Sequence, residues 1–420
     1  MYGDMYYHIE KEMKNMLIVS PCDLPVPAVQ GGAVQTLIDS IINSNEKNPK
    51  FKFTVISSYN KEAYKKSQQY KYTRFVFVKH NVFFDFVDES INQFMGLMDK
   101  SRKLRKCDYL WKLKIIAIAR KLLSNEVYDE VLLQNYGYFT KIFKKNELLE
   151  KYKGHIFYHL HNDIPDSVNP EIIKKCKCIL ISKYLSKKIV DNYGLDMKEN
   201  LLILNNGIPI EKYINRLTKE ERIELRRTLG FSEKDKIVCF VGRINPSKGI
   251  LELLEAMKKI SDSTIKLLVI GATEFGNNVK SDFEVKIKRI CEELSDRVKS
   301  TGYIPHEEIW KYYQISDMAA LPSMWEEPAG LTILEALISC LPVITTNAGG
   351  IPEFMKEEFG FMLNRDEYLV DNIADKIQSI ANDLSTWEKN GIEASKYIIN
   401  NYSEEKYFQN FVDLINMNGR

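Results

Sequence analysis

Two carboxylates in one short stretch carry the strongest chemical signal in the chain. Glu327 and Glu335 stand eight positions apart, with Pro328 and Gly330 between them. The apolar run Met318–Leu321 leads in, and Leu331, Ile333, Leu334, Leu337 and Ile338 lead out at helical spacing. The pattern predicts a strand, a loop and a helix over about Gly330–Ser339. A helix tip of this kind offers backbone N–H groups and a partial positive charge to an anion. Glu335 then lies roughly 7 Å down the axis, at ~1.5 Å per residue, and Glu327 sits ahead of the tip. One carboxylate can hydrogen-bond a group beside a bound phosphate and the other a group beyond it, the layout of a sugar, a diphosphate and a ribose. An ordinary strand–turn–helix with surface carboxylates shares the same spacing.

Two cations stand in a second loop. Val241-Gly-Arg-Ile-Asn-Pro-Ser-Lys-Gly249 follows an apolar strand candidate and precedes a helix over Ile250–Ile260, so Arg243 and Lys248 sit at a strand's C-terminal edge. Open α/β sheets bind ligands at that edge, and an Arg fork with a Lys point charge suits a diphosphate. No Asp-x-Asp pair occurs in the chain, and with two cations supplied by the protein no metal is needed to neutralise a leaving diphosphate. Gln30-Gly31-Gly32-Ala33 opens a helix over Ala33–Asn43 after the strand candidate Met16–Ser20, and its glycines let backbone N–H groups approach a ligand. His159-Leu160-His161-Asn162 ends another strand candidate. Alternation puts both histidines on one side, with His161 nearer the edge, where it could donate to a hydroxyl or to developing charge. His159 is expected in the interior. A zinc site lacks a third ligand here, and no Gly-x-Ser-x-Gly elbow supports a hydrolase.

These loops need elements to position them, and the chain supplies them in alternation. Short apolar runs alternate with helical patterns, which implies parallel sheets with crossover helices. Seven strand candidates run from Met16–Ser20 to Leu201–Leu204; five follow, at Ile237–Val241, Lys266–Ile270, Val298–Gly302, Met318–Leu321 and Pro342–Thr346. A length of 420 residues favours two domains. The turn-rich Asn205-Asn206-Gly207-Ile208-Pro209 sets the boundary, giving domains of 1–205 and 206–402 and a last helix from 403 to 420 with Ser403 as its cap.

The net charge of +2 argues against a nucleic-acid partner. Seven scattered cysteines fit a reducing cytoplasm, and no apolar signal core or membrane span is present. Between Asp99 and Lys121 stand nine Lys/Arg, with Trp111 among them and Phe83, Phe84, Phe86, Phe94, Leu97 and Met98 before them. Cationic residues beside apolar ones suit peripheral contact with an anionic membrane, and a solvated helix face beside the core is the competing reading.

Glu327 and Glu335, within Glu-Pro-Ala-Gly-Leu-Thr-Ile-Leu-Glu-Ala, resemble the Glu-x7-Glu signature of the retaining glycosyltransferases of family 4, and Arg243 and Lys248 match that family's Gly-Arg-x4-Lys-Gly pattern. Where the family carries an aromatic residue after the proline, this chain has Ala329. The resemblance implies an α/β protein of GT-B fold, two Rossmann-like domains with parallel sheets facing a central cleft, its last helix crossing back to the first domain. It implies a nucleotide-sugar donor, a UDP-sugar on base rate, and a glycan, lipid-linked or cell-surface polysaccharide acceptor. It implies no cofactor and no metal. By the same resemblance Glu327 contacts the donor sugar and Glu335 the ribose. Arg243, Lys248 and the loop of Ala329, Gly330, Leu331 and Thr332 hold the diphosphate. The backbone at Ile304 meets the base, Gly31 and Gly32 face the donor, and His161 serves the reacting sugar. Asn347-Ala-Gly-Gly-Ile-Pro-Glu353 resembles the family's Gly-Gly-x-x-Glu loop, and reads equally as a tight turn. An epimerase on the same donors, a pyridoxal-dependent phosphorylase and a non-catalytic scaffold are the rivals. No acid/base set for the first stands out, the second needs a longer chain, and the third would have lost the ligand residues.

Overall fold

The computed structural model describes residues 13–21, 23–79, 86–90, 109–144, 146–162, 168, 170–194, 200–272 and 282–418. They form two compact units. One comprises the described parts of Met1–Leu180, Lys188–Leu204 and Phe408–Arg420; the other comprises Ile181–Lys187 and Asn205–Tyr407.

The first unit holds a seven-stranded sheet of β1 (Lys14–Val19), β2 (Phe51–Ser58), β3 (Thr73–Val78), β4 (Glu130–Gln134), β5 (Ile156–Leu160), β6 (Lys177–Leu180) and β7 (Leu201–Ile203), in the order β3-β2-β1-β4-β5-β6-β7. Every pairing is parallel, for example Ile18 with Val55 and with Leu132. Parallel strands carry helices on both faces, so they read as near-continuous apolar runs; β4 and β5 are buried along their whole length. The helix Glu404–Asn418 begins with the Ser403 hydroxyl accepting from the Lys406 N–H at 3.2 Å, and Phe411 packs its ring 5.8 Å from that of Phe51.

In the second unit β8 (Lys236–Val241), β9 (Ile265–Ile270), β10 (Val298–Gly302), β11 (Met318–Leu321), β12 (Val343–Thr346) and β13 (Gly360–Leu363) form a parallel sheet in the order β10-β9-β8-β11-β12-β13. Strand alternation divides its core in two. Cys239, Val241, Ala319 and Leu321 pack on one face with Leu334 and Leu337 of the helix Leu331–Ile338. Val238, Phe240, Met318 and Ala320 pack on the other with Leu253 and Met257 of the helix Ile250–Lys259. The chain moves outward from β8 to β10 and returns through β11 on the other side, so the loops after β8 and β11 diverge at the middle of the sheet. That is where open α/β sheets leave a crevice at the strands' C-terminal ends.

The sequence pattern missed β13. It is a four-residue edge strand pairing only with β12, and its side chains Phe361 and Met362 are incompletely buried. Residues 80–85 and 91–108, which hold most of the basic and aromatic stretch, lie outside the described residues. Within the described part Trp111 is buried and belongs to the core, while Phe86 is exposed. No described helix is long and apolar enough to cross a membrane.

Candidate active site

The crevice between the β8 and β11 loops is lined by Val241, Gly242, Lys248, Leu321, Glu327, Gly330, Thr332 and Ile333. Pro246–Lys248 forms a single 3-10 turn that Gly249 ends at φ 70°. A Cβ at Gly249 would stand 1.8 Å from the Pro322 carbonyl oxygen, so only glycine lets the two loops touch here. They are stitched together at Ser247, whose carbonyl accepts from the N–H groups of Met324 at 2.9 Å and Trp325 at 3.1 Å. Lys248 and Glu327, 79 positions apart, thereby meet in an ion pair. The Ser323 hydroxyl also donates to Glu327 Oε1 at 2.8 Å.

A third loop braces this arrangement from behind. The Gly350 N–H donates to the Glu327 carbonyl at 2.7 Å, and the Gly349 N–H to Glu326 Oε2 at 2.6 Å, while Arg365 pairs with Glu326. Glu327 is thus held at its main chain and its side chain, as a directed acceptor in a site must be.

Gly330, in the left-handed region at φ 62°, caps the helix Leu331–Ile338 without a side chain. No side-chain oxygen caps that tip; the Ile333 N–H donates to the Gly330 carbonyl at 3.0 Å, and the tip borders the crevice at Gly330, Thr332 and Ile333, where backbone N–H groups can meet an anion. Glu335 is the fifth residue of the helix and is 4% exposed. His306 Nε2 lies 2.7 Å from its Oε1, and the Tyr313 hydroxyl donates to its Oε2 at 3.4 Å and to the Thr332 carbonyl at 3.1 Å. The Glu335 hydrogen bond raises the pKa of His306 above its ordinary value, against the opposing effect of burial.

Of the residues anticipated from the sequence, Lys248, Glu327, Gly330 and Thr332 line one crevice. Arg243 is exposed on the β8 loop. Ala329 and Leu331 flank Gly330, half-buried and outside that lining, and Ile304 packs half-buried against the core. Glu353 accepts the N–H groups of Lys183 at 2.8 Å and Tyr184 at 2.7 Å, so it caps the helix Lys183–Tyr193.

Gly31, Gly32 and His161 belong to the first unit. Gly31 and Gly32 adopt φ 76° and 92° before the helix Ala33–Lys47. His161 follows β5 and is 6% exposed; its Nε2 lies 2.9 Å from Gln134 Oε1 at the end of β4. Its Nδ1, and both ring nitrogens of the fully buried His159, have no hydrogen-bond partner. The two rings lie 4.1 Å apart, and burial lowers the pKa of His161 to about 3 and that of His159 well below its ordinary value. Both are neutral imidazoles at neutral pH. Sequence reading missed Ser323, Glu326, His306 and Tyr313. His306, Glu326 and Tyr313 act through partners 22 to 29 positions away, and Ser323 through Glu327 four positions on, at no spacing that marks a site.

The fold identifies the structural class. Anabaena HepE, solved with UDP and glucose, superposes with a TM-score of 0.69 over 96% of this chain and 100% of its own at 16% identity. The chain has the GT-B fold, with two parallel-sheet α/β units. Residues 221–404, which carry the whole crevice, match the family model of glycosyl transferases group 1. An uncharacterized glycosyltransferase of Methanocaldococcus jannaschii is 31% identical over 44% of this chain, and the chain spans 46% of that relative's length. A lipopolysaccharide 1,2-N-acetylglucosaminetransferase of Salmonella typhimurium is 26% identical over 71% of this chain and 75% of its own.

Proposed function

We propose that this chain is a retaining glycosyltransferase that moves a sugar from a nucleotide-diphospho-sugar, a UDP-sugar, to a glycan or lipid-linked acceptor of a surface polysaccharide, without a metal ion. The observation that carries the reading is the meeting of Lys248, Glu327 and the uncapped tip of the helix Leu331–Ile338 at the switch point between β8 and β11. Lys248 and the helix N–H groups supply positive charge where a diphosphate would leave. Arg243 on the same loop adds a guanidinium that matches phosphate geometry. Glu327, held by Ser323, is the acceptor for donor-sugar hydroxyls.

On donor binding the ion pair is redistributed: Lys248 turns to the diphosphate and Glu327 to the sugar. The bond from the anomeric carbon to the diphosphate oxygen then breaks with its electron pair on oxygen, and the resulting charge is met by groups already in place. The acceptor hydroxyl forms the new bond, and its proton passes to the departing phosphate oxygen. Retention of configuration rests on the Glu-x7-Glu resemblance. The UDP preference is supported by the HepE complex, and the acceptor class by the activity named for the Salmonella relative.

The test is release of nucleoside diphosphate from UDP-hexoses and UDP-N-acetylhexosamines in the presence of lipid-linked or oligosaccharide acceptors, with the product anomer read by NMR. An α-linked product from an α-linked donor, formed undiminished in excess chelator, is expected. An inverted product, or turnover that requires a divalent cation, would overturn the corresponding part of the reading.

A further inference from the structure

Glu335 is a buried carboxylate with three neighbours. Tyr313 is fully buried and donates to Oε2 at 3.4 Å. Tyr213 is buried 6.4 Å away from the Tyr313 ring, and burial, with the nearby Glu335 charge second, raises its pKa. His306 is the third, at 2.7 Å from Oε1, and it alone among them is half exposed and carries a charge when protonated. It stands on the loop after β10, while Glu335 stands on the helix that offers its tip to the crevice. The other charges felt by His306 are Lys212, on the helix Ile210–Ile214, which opposes its protonation, and Glu307 beside it, which favours it.

We infer that His306 is a positioning residue of the nucleotide site: its Nε2–H fixes the Glu335 carboxylate, and its positive charge tunes how tightly a nucleoside diphosphate is held. The inference rests on the nucleotide reading given above. A buried carboxylate is costly unless a cation or several donors satisfy it. The Tyr313 hydroxyl supplies a donor without charge; the imidazolium supplies both. When it loses its proton, Glu335 keeps a hydrogen bond but loses its cationic partner, and the site loses one positive charge near a dianionic ligand. Affinity therefore falls as pH rises through the titration of His306, which Glu335 displaces upward from the usual histidine value.

The experiment is calorimetric titration of the full chain with UDP-glucose between pH 6 and pH 8.5, a ligand whose diphosphodiester does not titrate near neutrality. Wild type, His306→Gln, His306→Ala and Lys248→Ala are compared, with NMR titration of the His306 ring in wild type and Glu335→Gln. Wild type should weaken about tenfold across the range, the worth of one charge-assisted contact. His306→Gln keeps an N–H donor without a charge, so it should be flat with pH and match wild type at the alkaline end. His306→Ala should be flat and weaker still, and Glu335→Gln should bring the His306 titration down toward the ordinary value. Binding that Lys248→Ala weakens but that ignores both pH and His306→Ala overturns the inference and leaves the nucleotide reading standing. No binding of UDP or UDP-glucose by wild type at any pH overturns both.

Discussion

Substituting Gly249 by alanine should separate the two loops of the site, and the cost can be worked from the structure. A Cβ there enters the left-handed region at φ 70°, which costs roughly 1–2 kcal/mol for an L-residue. It also meets the Pro322 carbonyl oxygen at 1.8 Å. Ordinary C···O contacts lie at about 3.3 Å, so the loops must part by about 1.5 Å. Overpacking of this kind adds roughly 1–3 kcal/mol. The sum, about 2–5 kcal/mol, corresponds to a fall of roughly 5–15 °C in melting temperature for a unit of this size. The same movement draws Lys248 away from Glu327, and misplacement by about 1 Å can cost about 100-fold in turnover.

Gly230→Ala is the control. Gly230 also has positive φ, 81°, but its nearest neighbour is the flexible Lys299 side chain at 3.5 Å, and it precedes the N-terminal end of β8, the opposite end from the loop that carries Lys248. That variant should pay only the backbone cost of about 1–2 kcal/mol and keep wild-type kcat/KM. Differential scanning fluorimetry and a coupled nucleotide-release assay on the two variants make the comparison. Equal melting shifts and equal kcat/KM would refute the claim that close loop contact builds the site.

Other outcomes follow from groups away from the crevice. Asp317 accepts Arg226 Nη2 at 2.9 Å on both carboxylate oxygens and the Ile237 N–H at 2.7 Å, so Asp317→Ala should destabilise by about 3 kcal/mol, read as a lower melting temperature. His159 and His161 are neutral in the folded chain well below the pH at which they protonate in the unfolded one. The unfolded state therefore binds more protons below about pH 6.5, and stability falls with pH there at about 1.4 kcal/mol per pH unit for each histidine. Melting temperatures between pH 7 and pH 5 should drop less steeply in His159→Gln than in wild type. Thr218→Ala removes a complete capping box from the helix Lys219–Thr228 and should cost about 1 kcal/mol, seen as a small melting shift with unchanged nucleotide affinity.

The parts legible in the sequence were those whose causes are local. β8, β11 and β12 are continuous apolar runs because parallel strands are covered on both faces, and each was placed to within a residue. Lys248 and Glu327 stand in loops that directly follow such strands, so position along the chain nearly gave position in space. What escaped was non-local. His306 reaches Glu335 across 29 positions and Gly349 reaches Glu326 across 23, and nothing near His306 distinguishes it from a surface histidine. Alternation puts His159 and His161 on one side, yet the side-chain partner of His161 is Gln134, 27 positions earlier. β13 failed to register because an edge strand needs apolar side chains on fewer of its positions.

The proposed place for the diphosphate of a sugar nucleotide is the crevice between the β8 and β11 loops. Calorimetric titration of UDP into wild type and into Lys248→Ala, each checked for an unchanged fold by circular dichroism, tests it most directly. A single site is expected in wild type, with a loss of about 10- to 100-fold in affinity in Lys248→Ala, the worth of a charged hydrogen bond to a phosphate. Equal affinity in the two proteins, or no binding by a folded wild type, would contradict it.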